Sequence, residues 1–160
     1  NLLRLAAVCR AQGRELLLEI IAGKSGELHE DTVARVLSRL YELDIRPDWW
    51  KLEPQPSAAA WQRCAQVIGA RDEFCRGILV LGLDAPLPQL TRSLALAAEC
   101  PLVRGFAVGR TIFADAAQAW LAGQTSDAAA TAQMAGRFSV LVNAWTSARD
   151  PRLDRQRSAT

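Results

Sequence analysis

Lysine is almost missing from this chain: of its 19 basic side chains only two are lysines, and the rest are arginines. Histidine is rarer still, with His29 alone in the polar loop Gly26-Glu27-Leu28-His29-Glu30, where it reads as solvated. A zinc hydrolase or metal-dependent aldolase needs several nitrogen or sulfur ligands, which this sequence does not supply. The four cysteines, Cys9, Cys64, Cys75 and Cys100, form no CxxC pair and no zinc spacing. Cys64 and Cys100 fall at apolar helix positions, as small hydrophobes do. A reducing cytoplasm is the expected compartment, without a disulfide framework. No apolar run approaches the roughly 20 residues that span a bilayer. The first residues do not read as a signal peptide's charged, apolar and cleavage regions. A Walker loop, a GxGxxG after a strand and a GxSxG elbow are also missing. No metal, cofactor, nucleic-acid or membrane partner is expected.

What is present is globular. Half of the residues are hydrophobic and 22% are charged, the balance of one domain with a real core. A formal net charge of +2 is too small to call for nucleic acid. The one dense basic stretch, Arg152-Leu153-Asp154-Arg155-Gln156-Arg157, reads as a flexible tail over 151–160.

Four short apolar runs read as buried parallel strands: Leu16 to Ile21, Asp48 to Glu53, Gly77 to Leu83 and Leu102 to Val108. Helical periodicity fills the gaps. Val33, Val36, Leu37, Leu40 and Leu43 share one face behind Asp31 or Thr32; Ser57 can cap a helix carrying Trp61, Cys64, Val67 and Ile68. Leu87, Leu90, Leu94 and Ala97 mark another. Ile112, Phe113, Ala117, Trp120 and Leu121 mark a short helix ending at Gly123, and a last one from about Asp127 carries Met134, Phe138, Leu141 and Trp145. Strand–helix alternation means an α/β fold with a parallel sheet and right-handed crossovers. The spacing suits a (β/α) barrel, whose usual length is ~250 residues. Four units over residues 1–150 are therefore expected to be the C-terminal half of a (β/α)8 domain, with a doubly wound sheet as the other architecture. The opening amphipathic helix (Leu2, Leu5, Ala6, Cys9) reads as a start in mid-domain.

The chemistry centres on Lys51, which interrupts Asp48-Trp49-Trp50-Lys51-Leu52-Glu53-Pro54. An ammonium is costly to bury, and burial moves it toward a nucleophilic amine, whereas arginine stays protonated. Lys51 is thus either a Schiff-base lysine or a strand-edge lysine reaching water past the tryptophans. Strand alternation puts Trp49, Lys51 and Glu53 on one face, and Leu17, Glu19 and Ile21 on one face of the preceding strand. If both faces point inward, Glu19 meets Lys51 and Glu53 near the mouth where barrel active sites lie. Glu19 would then shuttle protons and Glu53 orient the lysine, unless the group is a structural ion pair. Downstream, Gly109-Arg110 closes the last strand and opens a helix, a place suited to phosphate. Asp84, after the third strand, can touch substrate or cap the next helix.

In order, Leu17-Leu18-Glu19-Ile20-Ile21, Asp48 to Pro54, Leu81-Gly82-Leu83-Asp84-Ala85-Pro86 and Gly105-Phe106-Ala107-Val108-Gly109-Arg110-Thr111-Ile112-Phe113 resemble a known family. It is the aldolase-like C-terminal domain fused to a ribokinase-type sugar kinase (a transferase) in bacterial 5-dehydro-2-deoxygluconokinase proteins of myo-inositol catabolism. More distantly, the chain is similar to lysine-dependent tagatose-bisphosphate aldolases. The resemblance extends to about Arg149. It implies a (β/α)8 class I lyase that cleaves 2-deoxy-5-keto-D-gluconate 6-phosphate to dihydroxyacetone phosphate and malonate semialdehyde. Lys51 would be the Schiff-base lysine, Glu19 the strand carboxylate and Gly109-Arg110 the phosphate turn. Leu83-Asp84 departs from the small Ser-Ala-Gly stretch of the distant relatives. The partner implied is a phosphorylated keto sugar acid, and the assembly a homo-oligomer or a barrel completed by a missing N-terminal half. The alternative function is a non-catalytic oligomerisation or sugar-phosphate-sensing module of the kinase.

Overall fold

A computed structural model describes residues 1–150, and the tail expected over 151–160 lies outside them. The elements alternate as the periodicity implies: α1 (Leu2–Ala11), β1 (Leu17–Ile20), α2 (Thr32–Glu42), β2 (Trp49–Leu52), α3 (Ala58–Arg71), β3 (Gly77–Leu81), α4 (Leu87–Ala98), β4 (Val103–Ala107), α5 (Arg110–Leu121) and α6 (Asp127–Arg149). A single 3₁₀ turn, Ala22–Lys24, follows β1. The strands form one parallel sheet in the order β1-β2-β3-β4. That order has no reversal of the kind on which a doubly wound sheet turns. It is compatible with part of a (β/α) barrel.

Alternation along the strands sorts the two faces. Trp50, Leu52, Ile78 and Val80 are completely buried, in one cluster with Leu37 and Tyr41 of α2, Trp61, Cys64 and Ile68 of α3, and Leu90 and Leu94 of α4. The helices therefore cover one side of the sheet. The intervening residues, Trp49, Lys51 and Leu79, are only partly buried, and Leu17 is 43% exposed. Burying a Leu- or Trp-sized side chain stabilises by roughly 1.5–3 kcal/mol, so the helix-covered face carries most of the fold's apolar stabilisation.

Local capping follows the sequence in two places. Ser57 accepts from the Ala60 amide (3.1 Å) at the start of α3, and Ser126 accepts from the Ala129 amide (3.2 Å) at the start of α6. Asp31 precedes α2 but its side chain makes no cap. Gly123 follows α5 with φ +68°, the left-handed geometry expected of a helix-ending glycine. The long α6 packs on α4 and α5, buries Leu141, and sets Phe138 and Trp145 against Phe106 at centroid distances of 6.1 and 6.4 Å. The expected stripe is only partly core, because Phe138 stays half exposed. α1 is looser still: only Ala6 is buried, while Leu3, Leu5 and Val8 face outward.

All four cysteines are free thiols, and burial pushes Cys64 up to about 12 and Cys75 to about 11. Both act as core filler rather than nucleophiles. Among the described residues no helix is long and apolar enough to cross a membrane.

One buried hydrogen bond knits α2 to the sheet. The Trp50 indole N–H donates to the Tyr41 hydroxyl at 2.8 Å, and the rings meet edge to face at 5.7 Å. Burial holds the Tyr41 hydroxyl protonated far above the ordinary tyrosine range. Tyr41→Phe leaves the Trp50 N–H without its acceptor and is expected to cost about 1–3 kcal/mol, read from urea denaturation midpoints.

Candidate active site

Lys51 and Glu19 are direct partners in the β1–β2 ladder, so the parallel register alone sets them side by side. Their side chains meet on the face the helices leave uncovered, with Lys51 Nζ 2.6 Å from Glu19 Oε2. The lysine side chain is 24% exposed and the glutamate 40%, so the pair is sheltered but reachable. The strand-edge alternative, in which Lys51 merely reaches water, does not describe it.

Glu53 does something other than orient Lys51. The ladder ends at Leu52, so beyond it alternation no longer dictates where a side chain points. The Glu53 carboxylate is 1% exposed and turns to the 3₁₀ turn after β1, where it accepts from the amides of Ala22 (2.6 Å) and Gly23 (3.1 and 3.2 Å). A Cβ at position 23 would lie 2.8 Å from Glu53 Oε2, so a larger residue there would push the carboxylate away from the turn. Its backbone carbonyl accepts from buried Gln55 (2.8 Å). Glu53 is a structural clamp on the turn. Periodicity could not have found that role, although an acid followed by proline at a strand exit was a visible hint.

A cleft of about 320 Å³ opens at the carboxyl ends of the strands, lined by Glu19 and Lys51 together with Asp84, Gly109 and Arg110. Four expected site residues and the lysine thus converge. Gly109 forms the corner between β4 and α5, where a Cβ would stand 3.1 Å from the Phe113 ring. At the opening turn of α5 the Ile112 and Phe113 amides donate to the Gly109 carbonyl, which leaves the first two N–H groups, those of Arg110 and Thr111, without intrahelical acceptors, as at other helix starts that bind anions. Arg110 Nη1 lies 3.5 Å from Asp84 Oδ2, with both side chains largely exposed. Asp84 is therefore no helix cap: Pro86 holds that position before α4. Leu83 and Asp84 have φ of +50° and +62°, and the Ala85 amide donates to the Gly82 carbonyl at 3.0 Å. This is the pattern of a type I′ turn, one usually made by Gly, Asn or Asp and strained for leucine.

A larger hollow of about 590 Å³ follows the β1 edge beside α2, with Leu18, Ile20, Val36 and Leu40 in its wall. Its wall is mostly apolar, with Glu19, Glu27 and Arg35 as its charged members and no lysine, so its size does not make it the better site. His29 lies at its border, exposed, its amide donating to Thr32 Oγ1. Among the described residues no group of three His, Cys, Asp or Glu side chains is placed to hold a metal ion.

Replacing Glu53 with alanine strips two inward-facing amides of a charged acceptor. We expect Glu53→Ala to lose about 3 kcal/mol in urea denaturation, and hydrogen exchange to quicken at Ala22 and Gly23.

No curated protein matches the chain. Residues 1–149 match the family described as "Uncharacterized protein conserved in bacteria (DUF2090)". The match runs through every helix and strand of the fold, and the chain belongs to this family.

Proposed function

We propose that this chain carries the active site of a Schiff-base lyase, a class I aldolase acting on a phosphorylated keto sugar acid. The observation that carries the reading is the Lys51–Glu19 contact of 2.6 Å at the rim of the cleft that Arg110 also lines. A lysine nucleophile needs a base within hydrogen-bond reach, and a phosphorylated substrate needs a cation a short distance away.

In this reading the sheet is four units of a (β/α)8 barrel, and its uncovered face is the barrel's interior. Lys51 Nζ, having passed a proton to Glu19, attacks the substrate ketone to form a carbinolamine. Glu19 returns the proton to the departing hydroxyl, which leaves as water and gives an iminium. The substrate's β-hydroxyl then gives its proton to Glu19, now a free carboxylate, the adjacent carbon–carbon bond breaks, and its electron pair flows into the iminium to give an enamine. Protonation of that carbon and hydrolysis release the ketone product and restore Lys51. No metal is required, because the iminium is the electron sink. The substrate proposed is 2-deoxy-5-keto-D-gluconate 6-phosphate, cleaved to dihydroxyacetone phosphate and malonate semialdehyde, in a protein that also carries a sugar kinase. The α5 N-terminus and Arg110 would receive the phosphate.

Borohydride reduction in the presence of dihydroxyacetone phosphate should add the mass of the reduced adduct at Lys51, located by peptide mass spectrometry. Lys51→Arg should keep the fold by circular dichroism and abolish both trapping and cleavage. Turnover surviving in that variant would rule out the mechanism. Arg110→Ala should raise the KM for a phosphorylated substrate about 10- to 100-fold, since a charge-assisted bond is worth about 1.5–3 kcal/mol.

A further inference from the structure

Lys24 is the chain's other lysine, and it lines the same cleft as Lys51. The charges in that wall are Glu19, Lys24, Lys51, Asp84 and Arg110. Glu19 pairs with Lys51 and Asp84 with Arg110, so of the cations in that wall Lys24 alone has no ion-pair partner among the described residues. It sits at the end of the 3₁₀ turn whose Ala22 and Gly23 amides are held by the buried Glu53 carboxylate. An exposed loop lysine normally loses its attraction for an anion to the entropy of its own backbone and side chain. Here the backbone part of that loss is already met by the clamp. Lys24, itself exposed, also borders a second hollow shared with Leu28 and Leu83.

We infer that Lys24 anchors a second anionic group, a carboxylate, so that the cleft takes a ligand with a phosphate toward Arg110 and a carboxylate toward Lys24. The inference rests on the lyase reading for the ligand's carbon chain, but not on the Schiff base. Lys24 reaches the carboxylate end through solvent-accessible space and takes no part in the covalent steps. Ligands lacking the second anion leave its charge unmatched, and the cleft discriminates against them.

Calorimetric titration at fixed ionic strength tests this with two probes of equal length: 6-phosphogluconate, which has the carboxylate, and sorbitol 6-phosphate, which has a hydroxymethyl in its place. The full chain should bind 6-phosphogluconate at least tenfold more tightly. Lys24→Met should erase that preference while leaving sorbitol 6-phosphate binding unchanged, and Lys24→Arg should retain it. Arg92→Gln removes an exposed charge on α4 outside the cleft and should also retain it, which separates a local contact from overall attraction. Lys51→Met should keep the preference too. A preference that survives alongside failed borohydride trapping would therefore overturn the Schiff base and uphold the subsite. Equal affinity for the two probes, an undiminished preference in Lys24→Met, or binding of neither sugar phosphate would overturn the subsite.

Discussion

Two acids bracket β2, and between them they fasten β1 at both ends. Asp48 accepts from the Leu16 amide at 2.7 Å where the strands begin, and Glu53 accepts from Ala22 and Gly23 where they finish. The second contact is the demanding one, because it keeps a carboxylate almost wholly out of water without a cationic partner among the described residues. Charge-assisted bonds to backbone amides are among the few interactions strong enough to compensate that desolvation. With both ends tied, a one-residue slip of β1 against β2 would break each bond at once. The register that sets Glu19 beside Lys51 follows from this fastening.

The same constraint shapes the carboxyl end of the sheet. β1 passes into a turn held from β2, β3 passes into a left-handed turn at Leu83-Asp84, and β4 passes through Gly109 into α5. Three exits with different backbone devices bring their side chains around one cleft. Two of the three non-glycine residues with positive φ, Leu83 and Asp84, lie at this end with the buried Glu53 carboxylate, and the third, Asp44, precedes β2. That asymmetry is what a parallel sheet with a site at its carboxyl edge leads one to expect.

Much of this was legible before the fold was known. Runs rich in apolar residues identified all four strands to within two residues at each end, since the face packed against the helices must be apolar. Ser57 and the stripe of Trp61, Cys64 and Ile68 identified α3 because capping and periodicity are both local. The Glu19–Lys51 meeting followed from alternation on neighbouring strands. The parts that escaped depend on loops. Extending alternation one residue past the ladder assigns Glu53 to Lys51, and the sequence leaves Asp84 between touching substrate and capping a helix whose cap position Pro86 holds. Tyr41 was overlooked because its role is a single hydrogen bond to Trp50 rather than a place in a repeat. Lys24 gave no signal at all, as nothing in a loop's sequence says which cleft it will border.

The scarcity of lysine has a practical side. Amines are the commonest targets of acylating and reductive-alkylating reagents, and guanidinium groups resist them. Within these 160 residues such reagents find only two side chains, and both face the same cleft. Chemistry that would scatter labels over an ordinary surface is directed here to one place. The extent of labelling at Lys24 and Lys51 then becomes a direct report on whether that place is occupied.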